Sequence, residues 1–171
     1  METRLATTAD ASAIAHIYNQ GIADRTATFE TQPRTADDVR GWLTAAYPSV
    51  VVVEDGLTVA FASTAQYRAR ECYSGIAEFS VYVARDKRRR GAGRLAMQAL
   101  LQEAQRRGFW KLLSRIFVEN TASRALMRDL GFREVGVYHK HGKLDGRWRD
   151  VVIVEYLIES NLLRDCFLKA G

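Results

Sequence analysis

Cysteine is scarce in this sequence, and long apolar runs are absent. The two cysteines, Cys72 and Cys166, are too far apart for a metal-type pair and too few for a disulfide framework. No apolar run approaches the roughly 20 residues that cross a bilayer, and the first residues lack a basic stretch followed by an apolar segment. We therefore expect a cytoplasmic protein that binds no metal and does not cross a membrane.

Length and composition are those of an ordinary globular protein. The chain has 171 residues, 47% of them hydrophobic and 26% charged, which is enough for one sizeable core and predicts a single domain over residues 1–171. A net charge of +5 suggests an anionic partner. Charge alone leaves nucleic acid, a membrane surface and a phosphorylated cofactor open.

Hydrophobic periodicity and turn residues predict an α/β chain without internal repeats. Strands are expected at 2–6, 50–54, 58–67, 76–83, 111–118, 132–138 and 151–157, and helices at 11–22, 36–46, 94–107 and 120–130. The Asp55-Gly56 dipeptide predicts a hairpin between the second and third strands. A long loop is expected between the last two strands, and no helix is predicted after them.

The segment SVYVARDKRRRGAGRLAMQALL, residues 80–101, has features suited to a pyrophosphate. Gly91 and Gly93 would let backbone N–H groups approach phosphate oxygens, and the following helix start adds partial positive charge. The neighbouring arginines add full charges. The alternative is a solvated basic turn before a helix.

The spacing of that turn resembles the acetyl-CoA pyrophosphate loop of the GNAT acetyltransferase superfamily. It reads Arg88-x-x-Gly91-x-Gly93, without the later third glycine of a dinucleotide fingerprint or the Gly-Lys-Ser/Thr of a P-loop. A second segment is similar to the superfamily's pantetheine-binding asparagine and its helix: Glu119-Asn120-x-x-Ser123, then Leu130-Gly131-Phe132. A plain helix cap is the alternative for Asn120.

The resemblance implies a mixed, mostly antiparallel sheet flanked by helices and splayed between strands 76–83 and 111–118 to admit acetyl-CoA. It also implies that acetyl-CoA is the co-substrate, with no metal. The implied cofactor-binding residues are Val81, Tyr82, Val83, Arg88, Arg89, Arg90, Gly91, Ala92, Gly93, Arg94, Asn120 and Ser123.

Further segments are similar to one branch of the superfamily, the phosphinothricin, methionine sulfoximine and arsinothricin N-acetyltransferases. They are Ile17-Tyr18-Asn19, residues 27–33, Tyr67-Arg68-x-Arg70, Glu78-x-Ser80-Val81-Tyr82-Val83 and residues 146–152. The likeness spans about residues 3–157. It implies a homodimer that acetylates the amine of a small amino-acid analogue in a detoxification or resistance role.

Glu78 matches the general base of this branch. A carboxylate there would take the proton that an amino-acid ammonium carries at pH 7, and a surface glutamate in a salt bridge is the alternative. Arg68 and Arg70 match an Arg-x-Arg pair and would bind substrate anions, with Phe29 and Tyr73 as pocket walls. Alternate strand residues face opposite ways, however, so an extended segment would bring only one arginine to the pocket.

Two departures from the branch bear on mechanism and specificity. Met127 stands where many relatives place a tyrosine or histidine to protonate the leaving thiolate, a step that water can also perform. Tyr138, His139 and His141 are nearby in sequence. Glu71-Cys72 replaces the usual Pro-Ala, which affects the loop beside the substrate.

Other functions stay open at this stage. A nucleic-acid or membrane patch is disfavoured because the basic run ends in a phosphate-type loop and no nucleic-acid motif is present. Acetylation of an aminoglycoside, a polyamine or a protein N-terminus, or a non-catalytic acyl-CoA-binding regulator, would fit the same cofactor motifs. Polycationic acceptors normally require an acidic pocket.

Overall fold

A seven-stranded sheet is the centre of this computed structural model, which describes residues 1–43 and 46–168, with side chains as far as residue 163. The strands are β1 (Glu2–Leu5), β2 (Ser49–Glu54), β3 (Leu57–Gln66), β4 (Ile76–Val83), β5 (Lys111–Phe117), β6 (Arg133–Leu144) and β7 (Arg147–Leu157). The helices are α1 (Ala11–Asp24), α2 (Ala36–Trp42), α3 (Ala92–Arg106), α4 (Thr121–Asp129) and α5 (Glu159–Leu168).

The strand order is β1-β2-β3-β4-β5-β7-β6. Every neighbouring pair is antiparallel except β4 and β5, which are parallel. The expected mixed, mostly antiparallel sheet flanked by helices is therefore confirmed. The hairpin at Asp55-Gly56 is confirmed too, with φ of 52° and 77° at its two turn residues.

Helices pack on both faces of the sheet. Ile14, Ile17 and Tyr18 of α1 lie against one face, and Met97 and Leu100 of α3 lie against the other. Strands β2 and β3 are buried between these layers, which explains the uninterrupted apolar runs at 50–53 and 59–62.

Three expectations about the elements are wrong. Helix α2 ends at Trp42 because Leu43 turns out of the helical region with ψ of 67°, and residues 44–45 of the expected helix lie outside the described residues. The expected long loop between the last strands is a hairpin, closed by Asp145 and Gly146 with φ of 48° and 76°. Helix α5 follows β7 where no helix was expected.

No helix among the described residues is long and apolar enough to cross a membrane.

Candidate active site

The parallel strands β4 and β5 separate after a short stretch of pairing. Residues Ile76–Glu78 pair with Lys111–Leu113, and beyond Glu78 the two strands diverge. Strand β4 stays paired with β3 on its other side, and β5 with β7. The divergence therefore leaves a wedge in the middle of the sheet, as expected, with an edge of β4 open to a ligand.

The closed end of the wedge is fixed by Gly75 and Trp110, which immediately precede the two strands. The Trp110 backbone N–H donates to the Gly75 carbonyl at 2.8 Å. A Cβ atom added to Gly75 would lie 1.9 Å from Cε3 of the Trp110 indole, so only glycine fits beneath that ring. The two strands are thus held together at this end and free to separate at the other.

A cleft of about 400 Å³ occupies the wedge. Its lining comes from β4, β5, the loop after α1, the start of α4 and the β6–β7 hairpin. The lining residues are Tyr18, Ala27, Thr28, Phe29, Glu30, Glu78, Phe79, Ser80, Val81, Tyr82, Ser114, Arg115, Ile116, Phe117, Asn120, Ser123, Met127, His141 and Val151.

The cleft brings together several residues that the sequence analysis selected, which are Phe29, Glu78, Val81, Tyr82, Asn120 and Ser123. Within the part of the chain that the structure describes, the lining does not include the others. These are Arg68, Arg70 and Tyr73, and at the end of β4 and start of α3, Val83, Arg88, Arg89, Arg90, Gly91, Ala92, Gly93 and Arg94.

Glu78 lies at the narrow part of the cleft and carries a partner that sequence reasoning missed. Arg115 of β5 donates from Nε to Glu78 Oε1 at 3.0 Å, and its Nη2 contacts the same oxygen. The Glu78 side chain is 27% exposed and that of Arg115 is 45% exposed. An arginine between Ser114 and the apolar pair Ile116-Phe117, inside a mostly apolar strand, was the signal that could have identified it.

Alternation along β4 divides its side chains between two environments. Ala77 and Phe79 face the core that includes α3, and Tyr82 faces the α1 side. The Tyr82 ring packs edge-on to Tyr18 at 4.8 Å between centroids and stacks on Phe61 at 5.5 Å. Burial raises the pKa of the Tyr82 hydroxyl, and that of Tyr18 as well, so both stay neutral at physiological pH.

The basic turn lies at the open end of β4, where α3 begins. Gly91 precedes the helix with φ of 87°, a conformation that favours glycine, and Arg89 also has a positive φ of 62°. Three arginines of the turn are held by carboxylates. The pairs are Arg88–Asp24 at 2.7 Å, Arg90–Glu54 at 3.2 Å and Arg94–Asp129 at 2.8 Å.

Gly93 connects this turn to the strands of the wedge. A Cβ atom there would lie 3.3 Å from Leu126 of α4 and 3.3 Å from Val83 of β4. The first turn of α3 therefore packs closely against the end of β4 and the side of α4.

Asn120 caps α4 and also faces the cleft. Its Oδ1 accepts from the Ser123 backbone N–H at 3.1 Å, which is the N-cap geometry. Its Nδ2 donates to the Thr26 carbonyl at 3.2 Å. The side chain thus ties α4 to the loop that carries Phe29, whose ring lies 4.8 Å from that of Phe117 on the cleft wall.

The other predicted substrate residues follow the end of β3. The Arg68 guanidinium lies over the Tyr67 ring, 5.2 Å from its centroid, and the Tyr73 ring meets the same tyrosine edge-on at 5.7 Å. Arg70 precedes a 3-10 turn at Glu71–Tyr73. The segment is therefore not a continuous strand, so simple alternation does not govern where its two arginines face.

A thioether occupies the position that the resemblance gives to a proton donor. Met127 is buried, at 1% exposure, and lines the cleft. His141 also lines the cleft, with its ring 5.1 Å from that of Tyr138, whereas Nδ1 of His139 is 2.9 Å from an Asp150 carboxylate oxygen.

Among the described residues, no three His, Cys, Asp or Glu side chains are grouped to hold a metal ion. Cys72 is exposed and free, and the side chain of Cys166 lies outside the described residues.

Several known N-acyltransferases and acetyltransferases are similar to this chain over most of its length. The L-amino acid N-acyltransferase MnaT of Escherichia coli K12 is 31% identical over 164 residues, 94% of this chain and 95% of that protein. The L-methionine sulfoximine/L-methionine sulfone acetyltransferase of Pseudomonas paraeruginosa is 32% identical, covering 86% of this chain and 88% of its own. The structure of YncA from Salmonella typhimurium with its cofactor acetyl-CoA superimposes with a TM-score of 0.88 at 30% identity, over 92% and 94% of the two chains.

This fold and these relatives define an acetyl-CoA-dependent N-acetyltransferase. Residues 3–153 match the family described as the acetyltransferase (GNAT) domain. The chain belongs to the GNAT acetyltransferase family.

Proposed function

We propose that the protein transfers an acetyl group from acetyl-CoA to the α-amine of a small amino-acid analogue, of the phosphinothricin, methionine sulfoximine or arsinothricin type, in a resistance role. The observation that carries this proposal is a carboxylate, Glu78, at the narrow part of a cleft between two separating strands. The relatives named for L-amino acids and for methionine sulfoximine support the same substrate class.

The open edge of β4 fits an extended ligand such as the pantetheine arm of acetyl-CoA. Backbone groups of Val81, Tyr82 and Val83 would pair with that arm, and Asn120 and Ser123 would bind it from the α4 side. The residues assigned to the pyrophosphate are Arg88, Arg89, Arg90, Gly91, Ala92, Gly93 and Arg94. The positive φ of Gly91 and the start of α3 directly after it suit a phosphate group.

Acetyl-CoA, when bound, supplies the acetyl group: the neutral amine nitrogen bonds to the carbonyl carbon, the carbon–sulfur bond breaks, and the CoA thiolate leaves. The nitrogen then gives its second proton to water, and the thiolate takes up one proton from water. Glu78 removes one proton from the acceptor ammonium and passes it to solvent. A positioned base of this kind contributes about 10²–10⁴-fold in rate. Because Met127 carries no exchangeable proton, we assign no side chain to the protonation of the thiolate.

Phe29 forms the wall of the acceptor site where its ring meets Phe117. Arg68 and Arg70 remain assigned to anionic groups of the acceptor and Tyr73 to a wall of its pocket, although all three lie outside the residues that line the cleft. The resemblance to the branch further supports a cytoplasmic homodimer, and light scattering coupled to size-exclusion chromatography would measure its mass.

The first test is CoASH release from acetyl-CoA with phosphinothricin, methionine sulfoximine, arsinothricin, methionine, spermidine and an aminoglycoside. Turnover confined to the amino-acid analogues supports the proposal. Turnover of spermidine or the aminoglycoside alone would contradict the substrate class. No turnover, with acetyl-CoA still bound in calorimetry, would favour a non-catalytic acyl-CoA-binding regulator.

Glu78→Gln tests the base within the same assay. We expect kcat at pH 7 to fall about 10²–10⁴-fold with unchanged acetyl-CoA affinity, and the deficit to shrink at high pH, where the acceptor amine is already neutral. Glu2→Gln, on the exposed edge strand β1, is the matched control and should match the unmodified protein. A kcat close to that of the unmodified protein in Glu78→Gln would remove this residue from the mechanism.

A further inference from the structure

The ion pair between Glu78 and Arg115 joins the two strands inside the cleft. Both side chains line it, and Arg115 lies two residues beyond Leu113, the register partner of Glu78. The other carboxylate of the cleft, Glu30, is already engaged by Arg34 through two contacts of 2.6 Å. One carboxylate and one guanidinium therefore face the acceptor space as an adjacent pair of opposite charges.

An α-amino acid carries the complementary pair of charges. Its ammonium and its carboxylate are attached to one carbon atom, so a site that places the ammonium on Glu78 brings the carboxylate next to the guanidinium of Arg115. Arginine binds a carboxylate through two parallel hydrogen bonds, which fixes orientation as well as position.

We propose that Arg115 is a specificity-determining residue. When the acceptor binds, the Arg115 guanidinium leaves the Glu78 carboxylate and binds the α-carboxylate of the acceptor instead. This inference rests on the proposed function, in which Glu78 receives the ammonium proton. Before the acceptor binds, the Arg115 guanidinium donates its hydrogen bonds to the Glu78 carboxylate. After the exchange, Glu78 accepts hydrogen bonds from the ammonium, and Arg115 donates hydrogen bonds to the α-carboxylate of the acceptor.

Because both side chains are partly exposed, breaking this ion pair costs little free energy. Glu78 and Arg115 side chains are 27% and 45% exposed, and ion pairs so open to water contribute little to stability. When the acceptor separates Glu78 from Arg115, each side chain gains a new partner of opposite charge: the ammonium pairs with Glu78 and the α-carboxylate pairs with Arg115. An amine without an α-carboxylate would instead place its ammonium beside an unpaired guanidinium, which is a repulsive arrangement that selects against polyamines and aminoglycosides.

This assignment differs from the one that the sequence suggested. Arg68 and Arg70 follow β3 and lie outside the lining of the cleft, whereas Arg115 lines it and touches Glu78 directly. The α-carboxylate is thus assigned to Arg115, and the side-chain anion of phosphinothricin or arsinothricin is left to other groups.

The test compares two amines that differ only in the α-carboxylate: methionine sulfone and 3-(methylsulfonyl)propylamine. CoASH release gives kcat/KM for each with the unmodified protein and with Arg115→Met and Arg115→Lys. We expect Arg115→Met to lower kcat/KM for methionine sulfone by about 30-fold or more, mainly through KM, and not to lower it for the propylamine. Arg115→Lys should recover part of the loss.

Arg106→Met, on the exposed last turn of α3, is the matched control for removing an arginine and should change neither value. Melting curves and acetyl-CoA affinity establish that each variant is folded, and Arg115→Gln replaces Arg115→Met if the latter does not fold. An equal loss with both amines, or no loss with methionine sulfone, would overturn the inference while leaving the proposed function in place.

Calorimetric titration of methionine sulfone in the presence of CoA separates the two ideas when turnover fails. Binding that is lost in Arg115→Met, without acetylation of either amine by the unmodified protein, would keep the inference and overturn the proposed function. No binding to the unmodified protein would overturn both.

Discussion

Replacing Gly75 by alanine should destabilise the protein at the closed end of the wedge. The new Cβ atom would lie 1.9 Å from Cε3 and 2.1 Å from Cζ3 of Trp110. Because non-bonded carbons settle about 3.5–4.0 Å apart, the ring would have to retreat by roughly 1.5 Å or more. The Trp110 backbone is tied to Gly75 by the 2.8 Å hydrogen bond, so the ring cannot withdraw without disturbing the start of β5.

The size of the effect follows from the cost of overpacking. Forcing a methyl group into a filled site costs about 1–3 kcal/mol, and a contact this short against a rigid indole belongs at the upper end, about 3 kcal/mol. At about 2–4 °C per kcal/mol for a chain of this length, the melting temperature should fall by about 6–12 °C. No left-handed strain adds to this cost, since Gly75 is not among the residues with positive φ.

Urea and thermal unfolding, followed by circular dichroism, measure this loss. Gly136→Ala is the matched control, because no atom lies within 4 Å of a Cβ placed there, and its stability should stay within about 0.5 kcal/mol. In a Trp110→Ala background the cost of Gly75→Ala should fall below about 1 kcal/mol, since the obstructing ring is gone. The same cost in both backgrounds would refute the steric explanation.

Two further predictions concern the cofactor turn and the dependence of stability on pH. Gly93→Asp should weaken acetyl-CoA binding in calorimetry more than Gly93→Ala does, because both crowd Val83 but only aspartate repels a pyrophosphate; equal affinities for the two variants would remove the charge from the explanation. The hydrogen-bonded Arg4 guanidinium lowers the pKa of Asp10 to about 2 from 3.8, so ionised Asp10 stabilises the fold above pH 4, and this contribution is lost as the pH falls toward 2. Asp10→Asn should therefore lower the free energy of unfolding by about 2 kcal/mol at pH 7 and by about half as much at pH 3, and a deficit that did not shrink with falling pH would contradict the linkage.

Much of the fold could be predicted from the sequence because buried elements leave periodic patterns. Strands β2 and β3 and the helices around Ile14 and Leu100 are buried in the core, and this burial produces the apolar patterns seen in the sequence. The hairpin between β2 and β3 is indicated by its turn residues, Asp55-Gly56. Strand β6 shows no apolar pattern of this kind. It is an edge strand, exposed along most of its length, so its polar residues 139–143 resemble a loop although Asp145-Gly146 repeats the same turn chemistry.

Parts of the candidate site that lie within one local motif could be predicted from the sequence. Contacts between side chains of two different strands could not. Asn120 caps a helix within its own segment, and Gly91 shapes the turn in which it lies, so each is readable from neighbours in sequence. The pairing of Glu78 with Arg115 depends on the parallel register of β4 and β5 and on which face each strand presents. Neither the register nor the orientation of the two strands can be read from the sequence of β4 or β5 alone.

Internal ion pairs hold arginines at both ends of β4. At one end Arg115 holds Glu78, and at the other Arg88, Arg90 and Arg94 of the basic turn are each held by a carboxylate. The four guanidinium groups are 43–50% exposed, and ion pairs this open to water contribute little to stability, so an anionic ligand would displace them at little cost. Under the proposed assignment, these guanidinium groups serve two local tasks, binding the pyrophosphate of acetyl-CoA and the carboxylate of the acceptor. This differs from the extended series of phosphate contacts by which proteins bind nucleic acid.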